Sequence, residues 1–218
     1  MKEKLENILL INKPKGITSF DVIRILRRKL GIRKIGHAGT LDPIATGLMI
    51  VGVGDGTKKL KDFISLPKSY EAEIILGIKT STGDLDGNII KEDCADLSAG
   101  LKSETIKKTV EGMAGNIILP VSAYSAMKQG GESLYKKARR GDKLIIPKRE
   151  MEIFKAELVD VISGNTFVTI KTRFDVGSGT YIRSIAEEIG KRLGTYASVK
   201  ELRRVRVGDY NLEDAEDV

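Results

Sequence analysis

The stretch GHAGTLDPIATGLMIVGVGDGTK, Gly36 to Lys58, holds the only histidine of the chain, an aspartate between a leucine and a proline, and six glycines. Such a composition fits a turn, a phosphate cradle or an active-site loop. A P-loop requires four residues between its first glycine and a Gly-Lys-Ser/Thr triplet, but here Gly56 is followed by Thr57 and only then by Lys58. The spacing of Gly52, Gly54 and Gly56 fails G-x-G-x-x-G as well. Asp42 remains. Pro43 biases it towards an extended backbone and removes the next N–H, so by itself the Asp-Pro step begins a turn. An ionisable aspartate in a glycine-flanked loop also has the chemistry of a carboxylate nucleophile, which an arginine nearby would keep charged by lowering its pKa.

Around this stretch strand signals outnumber helical ones. ENILLINKPKG, from Glu6 to Gly16, reads as a strand entering a Pro-Gly loop. Thr18 or Ser19 then caps a helix that carries Val22, Ile23, Leu26 and Leu30 on one face and stops at Gly31. Tyr70, Ala72, Ile74, Leu76 and Ile78 alternate with mostly polar residues, the period of a half-buried strand with Tyr70 on its inner face. Ile106, Val110 and Met113 mark a helix behind Ser103, and Glu152 to Ile162 with Thr166 to Phe174 reads as a hairpin turning at Ser163-Gly164-Asn165. The cleanest helix carries Ile182, Ile185, Ala186, Ile189 and Leu193 on one stripe before Gly194, and Arg183 lies off that stripe in the first turn. The pattern predicts an α+β domain.

Length and composition limit the function classes. The 218 residues fit one domain with a sizeable core, and the apolar run Ile8 to Ile11 is too short for a membrane span or a signal-peptide core. A cytoplasmic protein without membrane association is expected. Cys94 is the only cysteine, so no internal disulfide can form, and with one histidine a zinc site of Cys and His ligands is excluded. Asp84 to Asn88, DLDGN, begins like a calcium loop but has Ile89 where glycine is needed and Ala95 where glutamate is needed. His37 has no G-x-S-x-G partner for a serine triad. The 37 basic residues exceed the 30 acidic ones, and from Lys128 to Arg149 eight basic residues face only Glu132 and Asp142. Smaller clusters lie at Arg24 to Lys34 and Lys200 to Arg206. Together they suit a polyanionic partner such as RNA, because phosphate binding needs several cations acting at once.

INKPKGITS at Ile11 to Ser19, the opening stretch, KSYEAEIILGIKTSTGDLDG at Lys68 to Gly87, YSAMKQGGESLYKKARRG at Tyr124 to Gly141, GSGTYIRSIAEEIG at Gly177 to Gly190 and LRRVRVGDY at Leu202 to Tyr210 together resemble the TruB family of tRNA pseudouridine synthases. They occur in the family's order over nearly the whole chain, and the block H-x-G-x-L-D-P-x-A-x-G is highly specific. The resemblance implies a pseudouridine-synthase fold, a mixed, mainly antiparallel sheet with flanking helices and a central active-site cleft. It also implies one catalytic domain over residues 1–218 with a basic RNA-binding insertion at about 124–150 and no small C-terminal PUA-like domain. The implied reaction isomerises the T-loop uridine at position 55 of tRNA and needs no cofactor or metal. The expected partner is the T-arm stem-loop of tRNA, bound by a monomer that requires no protein partner.

On the same resemblance, Asp42 matches the nucleophile, Arg183 the arginine that pairs with it, and Tyr70 the tyrosine that packs on the uracil and helps to remove a proton. Lys13 and Pro14 match a pair that supports the active-site loop, Leu202 an apolar residue lining the base pocket, and Asp84 an acidic residue near it. His37 matches the histidine that fills the space left by the flipped nucleotide, and Lys136, Lys137, Arg139 and Arg140 lie in the basic insertion. Ser81 and Val121 depart from the family pattern, which carries a more acidic and a proline residue there. The alternative is a catalytically weak tRNA-binding chaperone of the same fold, which would keep the basic face and His37 but would not need Asp42, Tyr70 and Arg183 together.

Overall fold

Glycine and proline punctuation sets the element boundaries in the computed structural model, which describes residues 7–93, 97–164 and 166–218. Cys94, Ala95 and Asn165, which figure in the sequence argument, lie outside the described residues. In chain order the elements are β1 (Ile8–Lys13), α1 (Ser19–Leu30), β2 (Ile35–Ala38), β3 (Ala45–Val53), α2 (Leu60–Ile64), β4 (Lys68–Leu76), β5 (Ile78–Thr80), β6 (Ile89–Glu92), α3 (Leu97–Gly100), α4 (Ser103–Glu111), β7 (Gly115–Pro120), β8 (Lys128–Gln129), β9 (Glu132–Ser133), α5 (Leu134–Arg140), β10 (Lys148–Ser163), β11 (Val168–Val176), α6 (Ile182–Arg192), β12 (Ala197–Val207), β13 (Tyr210–Asn211) and β14 (Glu216–Asp217). The residues group into two units, Met1–Glu71 with Leu202–Val218 and Ala72–Glu201, and both β4 and β12 run through the boundary.

In the first unit β3 is the central strand. β1 pairs with it antiparallel, from Ile8 opposite Gly52 to Lys13 opposite Gly47. On the other edge, β2 runs antiparallel to its second half and β12 parallel to its first residues, with Leu202 opposite Ala45. β14 extends the sheet parallel to β1, and β13 closes against β12. Leu48 and Ile50 of β3 pack with Ala38, Leu60, Phe63 and Val207 in a core of buried residues. Such burial explains why ATGLMIVGV reads as a continuous apolar run and not as an alternation. α1 begins with a capping box: the Asp21 N–H donates to the Thr18 hydroxyl and the Thr18 N–H to the Asp21 carboxylate. It ends on Gly31 at φ 68°, a left-handed cap.

The second unit is built on β10, which pairs antiparallel with β11 on one side and β7 on the other. β4 borders β11, and the Thr172 hydroxyl of β11 donates to the Ala72 carbonyl of β4 at 3.1 Å. The hairpin extends over more of the chain than its alternation indicated, beginning at Lys148 and ending at Val176. The single strand expected over Tyr70 to Ile78 is interrupted. Gly77 takes φ 100° and donates its N–H to the Tyr196 carbonyl, which separates β4 from β5. α4 is capped at Lys102, one residue before Ser103, and Met113 lies beyond its end yet stays buried.

Candidate active site

Three glycines of the opening stretch, Gly47, Gly52 and Gly56, prove to be packing devices. A Cβ on Gly56 would stand 2.1 Å from the Asn7 carbonyl oxygen, and one on Gly52 would stand 2.7 Å from the Gly56 carbonyl oxygen. Gly47, at φ 102°, lies so close to β12 that a Cβ would meet the Arg204 carbonyl oxygen at 2.3 Å. These positions let backbone cross backbone, a role that needs no phosphate.

Between β2 and β3 the chain makes a short loop with Asp42 near its middle, half-buried between buried Leu41 and exposed Pro43. The loop is anchored on both sides of that residue. Ser19, 2% exposed in the first turn of α1, accepts the Leu41 N–H at 2.8 Å and donates to the Leu41 carbonyl at 3.0 Å. On the far side the Pro43 carbonyl accepts the Gly16 N–H at 2.9 Å. Lys13 is wholly buried, and its ammonium donates to the carbonyls of Pro14 at 2.9 Å, Ile17 at 2.7 Å and Pro43 at 3.4 Å. A buried ammonium is tolerated only when such acceptors surround it. Lys13, Gly16 and Ser19 of the INKPKGITS segment thus all bond to the main chain of the Asp42 loop, while Pro14 serves as an acceptor for Lys13.

Arg204 completes this local structure. Its side chain is 1% exposed, and it donates to the Leu48 carbonyl at 2.7 Å and to the Gly39 carbonyl at 3.2 Å. The sequence counted it among surface cations at Lys200 to Arg206; the structure corrects that. The alternation that turns Leu202 inward turns Arg204 inward too, and this was the available signal. Arg206 of the same cluster donates to the Ser69 hydroxyl, and Lys200 lies 3.4 Å from the Glu73 carboxylate.

His37 stands on β2 opposite Val51, on a strand and not in the loop the sequence suggested. Burial, and then the positive charge of Arg204, push its pKa below the ordinary value, while the Gly39 backbone opposes the shift. Its Nδ1 is buried without a hydrogen bond of normal geometry among the described residues. Tyr70 is buried at 9% exposure on β4, and Leu202 at 6% on β12 beside Ala45. Two residues before Tyr70, Lys68 is pushed down to about 8 by burial and by Arg204.

The second unit holds the other predicted residues. Arg183 is buried in the first turn of α6, contrary to its place off the apolar stripe, where its guanidinium finds polar partners. It donates to the Thr82 carbonyl at 2.8 Å and the Tyr124 carbonyl at 3.0 Å, and it lies 3.6 Å from the Asp84 carboxylate. Asp84 in turn accepts the Thr82 hydroxyl at 2.5 Å and the Asp86 N–H at 3.2 Å, so DLDGN is a turn organised by this one carboxylate. A cavity of about 210 Å³ opens beside these groups, lined among others by Thr82, Gly83, Ser122, Arg183 and Glu187. Burial pushes the Glu187 carboxyl up, and Lys79 and Arg183 oppose it.

The basic insertion folds as a small hairpin, β8 with β9, followed by α5. Lys136 and Arg139 are exposed and Lys137 is half-buried. Arg139 lies 5.4 Å over the Tyr135 ring. Arg140 differs from its neighbours, since it bonds both oxygens of Glu132 at 2.7 and 2.8 Å and reaches Asp142 at 2.6 Å. Among the described residues no helix is long and apolar enough to cross a membrane.

Residues 27–182 match the TruB family pseudouridylate synthase N-terminal domain, and residues 183–218 match the tRNA pseudouridylate synthase B C-terminal domain. A tRNA pseudouridine synthase B from Fusobacterium nucleatum is 42% identical over 96% of this chain and 70% of its own. One from Corynebacterium diphtheriae is 38% identical over 95% and 69%. Among solved structures, a chain of a Cbf5-Nop10-Gar1 complex superposes with a TM-score of 0.72 at 25% identity, covering 97% of this chain and 52% of that one. A chain of the archaeal box H/ACA sRNP Nop10-Cbf5 complex gives 0.67 at 24%, with 96% and 50% covered. This chain spans about half the length of those two. The fold is thus that of the pseudouridine synthases, and the chain belongs to the TruB family of pseudouridylate synthases, as an isomerase of the tRNA pseudouridine synthase class.

Proposed function

We propose that the chain converts the T-loop uridine at position 55 of tRNA to pseudouridine, with Asp42 as the nucleophile. Attack by the carboxylate leads to cleavage of the glycosidic bond, uracil turns within the site, carbon 5 joins the ribose in place of nitrogen 1, and the bond to Asp42 breaks so that the free carboxylate is regenerated. Carbon 5 gives up its proton and nitrogen 1 gains one, so the product is an isomer of the substrate and no redox step arises. The observation that carries this reading is the anchored loop. Asp42 sits between a residue held by Ser19 and one held by Lys13 and Gly16, which is how a reacting group is kept within the tolerance that proximity catalysis demands.

The roles of Tyr70 and Arg183, stacking on the uracil and keeping the nucleophile ionised, rest on the resemblance, as do those of Asp84 and Leu202 beside the base. His37 suits the space left by the extruded nucleotide, because a neutral imidazole stacks on bases and offsets part of the few kcal/mol that unstacking costs. Lys136, Lys137 and Arg139 contact the RNA backbone, and the protein acts as a monomer in the cytoplasm, where its substrate is. The test is release of tritium from carbon 5 of uridine in a T-arm transcript. Wild type releases it, and Asp42→Asn abolishes release while RNA binding persists. Release by Asp42→Asn at the wild-type rate rules out the nucleophile, and binding without release by the wild type points to a chaperone.

A further inference from the structure

We infer that Ser19 is a positioning residue for the isomerisation. Its hydroxyl fixes the main chain immediately before Asp42 and thereby the place of the Asp42 carboxylate. The inference rests on the assignment of Asp42 as nucleophile and gives a role at the Asp42 loop to the last residue of the INKPKGITS motif, which by sequence reads as a helix cap.

The geometry is a two-way clamp on one residue. Ser19 Oγ accepts the Leu41 N–H at 2.8 Å and donates its proton to the Leu41 carbonyl at 3.0 Å. A hydroxyl has one proton to donate and lone pairs to accept with, so a single side chain can serve both polar groups of a buried peptide. Leu41 and Asp42 belong to no helix or strand, and Leu41 is 3% exposed, so its backbone groups need partners from elsewhere. Ser19 provides what a neighbouring strand would otherwise provide. Its own position is fixed because it opens α1 immediately after the Thr18 capping box.

The far side of Asp42 is anchored independently, at the Pro43 carbonyl by Gly16 and Lys13. The Ala45 N–H also returns to the Asp42 carbonyl at 3.0 Å. Loss of the Ser19 clamp would therefore remove the side-chain anchor of the main chain immediately before Asp42. The loop would stay in the fold, but its carboxylate would sample positions away from the reacting atom. That defect slows the chemical step and spares RNA binding, which is spread over many contacts.

The experiment compares wild type, Ser19→Ala, Ser19→Thr and Asp42→Asn on a T-arm stem-loop RNA, reading single-turnover pseudouridine formation, the RNA dissociation constant and the thermal midpoint. Ser19→Ala removes both bonds without adding volume, and is expected to slow conversion by about 10- to 100-fold. Its dissociation constant should stay within about twofold of wild type, the split expected for an interaction made in the chemical step. Ser19→Thr, which keeps the hydroxyl, should restore most of the rate. Should Ser19→Ala not fold, Ser19→Cys, of similar volume but with a weaker donor, carries the same expectation. Conversion by folded Ser19→Ala within about twofold of wild type overturns the inference, as does a slow rate matched by an equal loss of affinity or shared by folded Ser19→Thr. Activity in Asp42→Asn removes the nucleophile and this inference with it, whereas an inactive Asp42→Asn beside a fully active Ser19→Ala overturns Ser19 alone.

Discussion

At His37 burial and a neighbouring cation act in the same direction. Both disfavour the imidazolium, and both lower the folded-state pKa below 6.5. The sign of the consequence follows from linkage. A histidine whose folded pKa lies below its unfolded value binds fewer protons when folded, so stability is lost as pH falls below about 6.5 and is independent of this group above it. Titration of the imidazole by NMR should give a midpoint below 6.5, and a midpoint at or above 6.5 would contradict the roles given to burial and to Arg204. Lys68 behaves alike in a higher window. With its pKa pushed down to about 8 from 10.5, it binds fewer protons in the folded state than in the unfolded one between those values, and stability rises with pH across that range. Neither shift could be read from the sequence, because both causes, burial first and then Arg204, more than a hundred positions away, arise only on folding.

At the scale of elements, β3 shows how a sequence feature can attract the wrong explanation. The clustered glycines of GVGDG suggest a phosphate cradle, yet Gly52 and Gly56 are the points where β3, the 3-10 turn at Gly54–Lys59 and the residue before β1 pass within backbone contact. Gly56→Ala places its methyl 2.1 Å from the Asn7 carbonyl oxygen, and neither backbone can yield without loss of the bond from the Val53 N–H to that oxygen. Overpacking of this kind costs about 1–3 kcal/mol, so urea unfolding of Gly56→Ala should show a lowered midpoint. An unchanged midpoint would return the loop to the ligand-binding candidates. Helices α1 and α6 were legible from periodicity and caps because their apolar stripes are local signals. The break at Gly77 was not, since it depends on a hydrogen bond to Tyr196.

For the whole molecule, the net charge of +7 is less informative than how many of its cations are already occupied. Arg204 is buried among carbonyls, Arg183 is committed to Thr82, Tyr124 and Asp84, and Arg140 is held by Glu132 and Asp142. Lys136, Lys137 and Arg139 show no such ion pair among the described residues, and under the proposed function they are cations of the insertion that can displace counterions from RNA. Each phosphate contact contributes about 0.7 to 0.9 to the slope of log affinity against log salt. Neutralising Lys136, Lys137 and Arg139 together should therefore flatten that slope by about 2. Arg140→Gln should leave the slope nearly unchanged, and an equal effect from Arg140→Gln would mean that its ion pairs open on binding. By itself the sequence determined the α+β class, the major helices and strands, the family through H-x-G-x-L-D-P-x-A-x-G, and Asp42 as the residue to watch, because periodicity, caps and short motifs are properties of neighbouring residues. Only the tertiary structure decided which polar residues spend their groups inside the protein. Ser19 reads as a cap, Lys13 as a motif residue and Arg204 as a surface charge until folding brings each against the backbone of the segment between β2 and β3, where a buried peptide group must find a partner and a side chain distant in sequence provides it.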